Sequence, residues 1–166
     1  MIVRNISHDD VQDFIDCFVT VFSTLKGILP QDFVKSQIET ASKQEFQKNL
    51  LSKLDDRNNI LLVAMDDEKI IGLAWGNINE DSLGWLSFLG VVDTYRRIGI
   101  GRALLCQFIK QCIDRGAHKI SLDTDPRLIP AIKLYESMGF SREGFVTNPN
   151  GMKLILFRKE LHAHVV

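Results

Sequence analysis

The sequence predicts an α/β fold: one mixed, mostly antiparallel central sheet flanked by helices. Three observations predict it. Between residues 59 and 92, three runs rich in branched apolar residues are separated only by short polar turns, which join antiparallel neighbours. A long amphipathic segment then intervenes before the run Lys119–Asp123, so that strand returns parallel to its predecessor. Helical periodicity precedes and follows this block, giving the order β-α-α-β-β-β-α-β-α-β-β. With 166 residues and 45% hydrophobic content the chain fits one domain, residues 1–166, without linker, repeat or low-complexity segment.

Ile2–Ile6 reads as a short strand, after which Ser7 and Asp10 form a helix-start pair. The helix that follows runs to about Phe22, with Val11, Phe14, Ile15, Phe18 and Phe22 on one apolar face that covers the sheet. A turn around Gly27 and Pro30 leads to a second helical stretch. Ser42-Lys43-Gln44-Glu45 is a capping-box pattern that starts a new helix, with Phe46, Leu50 and Leu54 as its buried stripe. Ile60–Met65 and Ile70–Ile78 form a hairpin across the polar turn Asp66–Lys69, and Asn79–Ser82 turns the chain into Leu83–Val92. The helix after Gly101 carries Leu104, Leu105, Phe108, Ile109, Cys112 and Ile113 on one broad face and stops at Arg115-Gly116, where glycine suits a left-handed cap. Pro126 and Pro130 bracket the approach to the last helix, which ends at Met138-Gly139. Phe145–Thr147 and Met152–Arg158 close the chain as a hairpin around Asn148-Pro149-Asn150-Gly151.

A net charge of −1, from 20 basic and 21 acidic residues, gives no global attraction to nucleic acid or to an anionic membrane. No apolar run approaches the roughly 20 residues that span a bilayer, and no basic-then-apolar leader is present. A soluble cytoplasmic protein is expected, and a homodimer stays open. Cys17, Cys106 and Cys112 lack Cys-x-x-Cys spacing and a neighbouring histidine, so they read as buried free thiols rather than metal ligands or nucleophiles. His8, His118, His162 and His164 are scattered and read as surface or loop residues. The last two are near enough to bind a metal adventitiously, but no third ligand is evident and no metal site is expected.

Arg96-Arg97-Ile98-Gly99-Ile100-Gly101-Arg102-Ala103 joins the apolar run Trp85–Val92 to the long helix. Gly99 and Gly101 lack a Cβ, so an anion can approach the backbone, and the first N–H groups of the helix have no intrahelical acceptor. The helix macrodipole and Arg96, Arg97 and Arg102 add positive charge at the same place. An anionic, phosphate-bearing ligand is expected. Two other readings stand beside it. One is a dinucleotide site of the Gly-x-Gly-x-x-Gly type, for which Asp123 lies about twenty residues on but Leu104 occupies the third glycine position. The other is a plain strand-to-helix turn with solvated arginines.

This turn resembles the Arg/Gln-x-x-Gly-x-Gly/Ala signature of the GNAT superfamily of acyl-CoA-dependent N-acyltransferases, with Arg96, Gly99 and Gly101 on its three positions. Leu89–Arg96 looks like the family's strand ending in Val-x-Pro-x-Tyr-Arg, with Asp93 at the proline. Ala131–Phe140 is similar to the family's Ala-x-x-Leu-Tyr-x-x-x-Gly-Phe helix, and the two blocks have family spacing.

The resemblance implies a GNAT-like sheet whose fourth and fifth strands splay, with the thioester of acetyl-CoA in the gap. It implies acetyl transfer to a primary amine, a small molecule or a protein N-terminus, by direct attack in a ternary complex. By the same resemblance the backbone amides of Arg97, Ile98, Gly99, Ile100, Gly101 and Arg102 hold the CoA pyrophosphate, and the backbone of Leu89, Gly90 and Val91 pairs with the pantetheine amides. Arg96 is divided between phosphate binding and anchoring the turn. Tyr135 stands where the family's tyrosine hydrogen-bonds the leaving sulfur; a phenol of pKa about 10 stays protonated at neutral pH and can donate. Packing is its other reading, since Ala131, Leu134, Tyr135 and Met138 form a helical face.

Many relatives carry a glutamate on the strand before the turn, where this chain has Ser87 and Phe88. Asp123, one strand over, aligns with an acidic residue of some ribosomal-protein N-terminal acetyltransferases. It is the candidate general base, or else a strand-end carboxylate bonding its own turn. Glu80 and Asp81 are weaker candidates. Leu128 replaces an asparagine that often touches the cofactor. These departures also admit a non-catalytic acyl-CoA-binding or interaction module of the same fold. Acceptor loops are expected within residues 23–45 and 76–84.

Overall fold

Burial sorts the apolar residues into two layers, one on each face of a seven-stranded sheet. The computed structural model describes residues 1–162. The strands are β1 (Ile2–Asn5), β2 (Asn59–Asp66), β3 (Lys69–Ile78), β4 (Leu83–Val91), β5 (Lys119–Thr124), β6 (Ser141–Thr147) and β7 (Lys153–Glu160). The helices are α1 (Val11–Ser23), α2 (Gln31–Ala41), α3 (Gln44–Leu54), α4 (Ile100–Asp114) and α5 (Ile129–Ser137). Strand order is β1-β2-β3-β4-β5-β7-β6, with β4–β5 parallel and every other pair antiparallel. β7 thus inserts between β5 and β6.

Strand alternation decides which layer each residue joins. Ile60, Leu62, Leu86, Ile120, Leu122, Ile155 and Phe157 point to the face covered by α4 and α5, where they meet Leu104, Phe108, Ile132 and Tyr135. Leu61, Val63, Leu73 and Leu154 point to the opposite face, under Phe14, Phe18 and Phe22 of α1, Val34 of α2 and Leu50 of α3. Each fully buried Leu, Ile or Phe contributes about 1.5 to 3 kcal/mol, so these layers are the main stabilising term.

The start of α1 is fastened to β1 through Asp10. Its carboxylate accepts from the Ser7 N–H at 2.7 Å and from both terminal nitrogens of Arg4, at 2.7 and 3.0 Å. This pairing holds the Asp10 carboxyl below its usual range, at about 2.

Four details depart from the sequence reading. Ser42 does not cap α3: its hydroxyl donates to the Ile38 carbonyl at 2.8 Å, closing α2. β6 begins at Ser141, because β7 supplies a ladder along the whole segment. Cys106 is exposed, not buried, since it lies on the outer side of α4, whereas Cys17 and Cys112 are buried. Ile113 is likewise partly exposed at the end of α4. His8, His118 and His162 are exposed, and His164 lies outside the described residues.

Candidate active site

β4 and β5 pair only through Leu83–Lys119, Gly84–Ile120 and Trp85–Ser121. Beyond these, β4 continues to Val91 and β5 to Thr124 without a mutual hydrogen bond, so the sheet opens toward the carboxyl ends of both strands. One edge of β4 over Leu89, Gly90 and Val91 is paired with Ala74, Leu73 and Gly72 of β3, and the other faces the gap. Backbone groups on an unpaired edge are available to a ligand with amides of its own.

A bulge re-aims β4 at the mouth of the gap. Phe88 opposes Trp75 and Leu86 opposes Gly76, which leaves Ser87 as the extra residue. Leu86 therefore faces α4, whereas Phe88 faces α1, where its ring lies 5.0 Å from Phe18, 5.3 Å from Phe22 and 5.1 Å from Trp75. Gly90 faces the same side, and a Cβ there meets Val21 and Phe88 at 2.7 and 2.8 Å, so no larger residue fits.

The turn after β4 makes a cradle. Arg97 and Gly99 have φ of +66° and +88°, and such left-handed residues curl successive N–H groups toward one concavity. The first intrahelical bond of α4 is from Ala103 N–H to the Gly99 carbonyl at 3.0 Å. Among the described residues no backbone carbonyl accepts from the amides of residues 97–102. At Gly101 the packing is less demanding: a Cβ there makes only ordinary contact with Leu134 of α5, at 3.4 Å.

The three arginines of the turn differ. Arg96 donates from Nε to the Val91 carbonyl at 3.1 Å and from Nη2 to the Thr24 hydroxyl at 3.0 Å, so it anchors the turn. Arg102 donates to the Ser137 hydroxyl at 2.8 Å, joining the start of α4 to the end of α5. The Arg97 side chain is exposed and has no protein partner among the described residues. It is the cation free to meet an anion in the cradle.

Tyr135 on α5 is only 6% exposed, with Phe140 and Phe157 at ring separations of 5.9 and 6.1 Å. Burial first, and the charge of Asp123 second, push its phenol above the ordinary value. Its hydroxyl has no protein hydrogen-bond partner among the described residues, and it is not among atoms sealed from solvent. Asp123 on β5 is half-buried, opposite Leu156, and points to the α1 face because its neighbours Leu122 and Thr124 pair with Phe157 and Ile155 of the α4 face. Burial raises its carboxyl above the usual range.

The turn-bonding role foreseen for Asp123 belongs to Asp125. That carboxylate, 3% exposed, accepts from Arg127 N–H, Nε and Nη2 at 2.9, 2.8 and 2.7 Å, and the guanidinium lowers its pKa. Glu80 and Asp81 sit in the turn at the closed end of β4, away from the gap. Leu128 precedes α5 and packs at the edge of the α1 layer.

Sequence reading missed the bulge at Ser87, the Asp125–Arg127 pair and the aromatic set around Phe88. Only the last left a trace, in the spacing of Phe14, Phe18 and Phe22. Among the described residues no group of three or more His, Cys, Asp and Glu side chains is placed to hold a metal ion, and no helix is long and apolar enough to cross a membrane.

Known proteins share this fold. A curated relative, the mycothiol acetyltransferase of Thermomonospora curvata, is 34% identical over 82 residues, which are 49% of this chain and 28% of that protein. The chain thus spans less than a third of that relative's length. Among solved structures, the PaiA N-acetyltransferase of Thermoplasma acidophilum in complex with coenzyme A superposes with a TM-score of 0.81 at 20% identity, covering 96% of this chain and 98% of that one. The ribosomal-protein-alanine N-acetyltransferase of Brucella melitensis superposes with a TM-score of 0.78 at 19% identity, covering 97% and 100%. The model of the acetyltransferase (GNAT) family matches residues 23–140, a span that takes in the opened strands, the glycine turn and Tyr135. The chain belongs to the GNAT acetyltransferase family.

Proposed function

We propose that this chain, as one domain over residues 1–166, is a cytoplasmic N-acetyltransferase that moves the acetyl group of acetyl-CoA to a primary amine in a ternary complex. One observation carries the reading: the sheet opens between β4 and β5, and a carboxylate and a phenol flank the opening from opposite faces. The amides of Arg97, Ile98, Gly99, Ile100, Gly101 and Arg102, with the Arg97 side chain, suit the CoA pyrophosphate. The free edge of Leu89, Gly90 and Val91 suits the pantetheine amides. Bound acetyl-CoA supplies an activated thioester carbonyl.

Asp123 takes the proton that the amine loses on attack. A carboxyl raised by burial is a better base at neutral pH than an exposed one. Neutralising an α-amino group of pKa about 8 costs about 1.4 kcal/mol at pH 7, against about 4.6 for a lysine. A single half-buried carboxylate therefore serves a weakly basic amine most easily. Tyr135 donates its proton to the departing sulfur, and its raised pKa keeps it protonated throughout the working range.

Two measurements test this. CoA at a hundredfold excess over Kd stabilises the fold by about 2.7 kcal/mol, a melting rise of roughly 5 to 11 °C, whereas NAD does not. An amine and peptide screen read by thiol release then finds turnover. Binding of CoA without turnover for any amine favours the non-catalytic module, and a response to NAD alone rejects the acyl-CoA reading.

A further inference from the structure

We propose that the acceptor carries an apolar, preferably aromatic, group beside its amine, and that the aromatic face of the gap under α1 receives it. This rests on the acetyl-transfer reading above. The proton donor and the proton acceptor lie on opposite faces of the opened sheet, Tyr135 with α4 and α5 and Asp123 with α1. An amine that gives its proton to Asp123 approaches from the α1 face, which fixes the surface its other atoms must touch.

That surface is apolar. Phe88 projects there because of the bulge at Ser87, and it stacks on Trp75 with rings 5.1 Å apart at 27° and on Phe22 at 5.3 Å and 24°. Phe33 of α2 continues the row, 6.2 Å from Phe22. Leu128 and Met152 belong to the same layer on the β5–β7 side. Trp75, Phe88, Phe33 and Leu128 are only half-buried. The nearby ions Asp125 and Arg127 neutralise each other through three hydrogen bonds, so Asp123 is the carboxylate left to an incoming ammonium.

Charge and shape together select the occupant. An ammonium is attracted by Asp123 and by the faces of the rings, and an apolar substituent displaces water from Phe88 and Trp75. A second ammonium or a row of hydroxyls is desolvated on this face without partners, which is unfavourable. A groove between α1 and the β2–β3 turn, lined by Asp13, Asp16, Asp66, Asp67 and Glu68 against the single cation Lys69, is the competing surface for a polycationic acceptor. It runs along the β2–β3 turn and reaches Val92, just past the end of β4.

The test compares kcat/KM for 2-phenylethylamine, ethanolamine and 1,4-diaminobutane, and for peptides beginning with Phe or Asp, in the intact protein. The apolar acceptors lead their polar counterparts by about tenfold or more. The peptide pair distinguishes a free amine from a chain N-terminus as the source of the apolar group. Trp75→Leu and, on the helix side, Phe33→Leu shrink that lead while the CoA-induced melting shift stays at its wild-type value. Equal rates across the panel, or a lead for 1,4-diaminobutane or the Asp peptide, overturn the proposal and leave acetyl transfer standing. No turnover with any amine, despite stabilisation by CoA, rejects acetyl transfer and this proposal with it.

Discussion

The Arg96 guanidinium donates to the Thr24 hydroxyl at 3.0 Å, tying the glycine turn to the end of α1. Its Nε holds the Val91 carbonyl at 3.1 Å, so one side chain fixes the exit of β4 against the start of the segment leading to α2. Arg96→Lys loses this fork and loosens the cradle, while Arg97→Ala removes the free cation. Each weakens CoA binding by about threefold to tenfold, but only the Arg97 change makes binding less dependent on ionic strength. Titration calorimetry at two salt concentrations separates them, and equal salt dependence in both variants contradicts the division of roles.

Gly99 and Gly101 differ in what a side chain costs. Gly99 sits at φ +88° with open space where a Cβ would lie. Gly99→Ala therefore folds but strains the turn by about 1 to 2 kcal/mol, and CoA affinity falls by about tenfold. Gly101→Ala places a methyl in ordinary contact with Leu134 and gains helix propensity, so its melting temperature holds or rises. Melting curves with and without CoA check both.

Asp10→Asn probes the tie between β1 and α1. Because the folded pKa is depressed to about 2, the carboxylate stabilises the fold above its unfolded value near 3.9, and that contribution is lost as pH falls through the folded value. Arg4 is 40% exposed, so solvent screening reduces the effect to about 1 kcal/mol at pH 7. Urea unfolding at pH 7 and at pH 2 reads it: the variant is less stable at pH 7, and the difference narrows in acid.

Asp123→Asn has the opposite sign. Burial raises the folded pKa, so the ionised side chain opposes folding once pH exceeds the unfolded value. The variant matches wild type in acid and is the more stable protein at pH 7, yet it turns over more slowly. Its rate deficit shrinks as pH approaches the amine's own pKa, since deprotonated acceptor needs no base. A melting temperature below wild type at pH 7 contradicts the burial argument.

The strands, the turn and α5 were legible because each follows from a local signal: alternation in β2–β4, glycine at a left-handed position and a three-and-four spacing around Tyr135. Features set by packing across the sheet were not. The insertion of β7 between β5 and β6 depends on which edge β5 leaves open, and nothing local to residues 141–160 encodes it. Ser42 and the bulge at Ser87 show the same limit. A Ser-x-x-Glu pattern fits either a helix start or a chance neighbour of a helix end, and here the Ser42 hydroxyl bonds back to the Ile38 carbonyl of the preceding helix. The side of the sheet to which Phe88 points is reversed by one unpaired residue. Asp123 and Asp125 are two residues apart on the same segment, and only the fold reveals that Arg127 engages the second and leaves the first unpaired.

The central claim is that the gap between β4 and β5 carries out acetyl transfer with Tyr135 as proton donor. Tyr135→Phe keeps the packing against Phe140 and Phe157 and removes a hydroxyl without a protein partner, so folding and CoA affinity stay close to wild type. The decisive measurement is the rate of thiol release from acetyl-CoA by wild type and Tyr135→Phe at saturating acceptor. The account predicts a fall of about 10²-fold, close to 2.7 kcal/mol of barrier. An undiminished rate in the folded variant would contradict it.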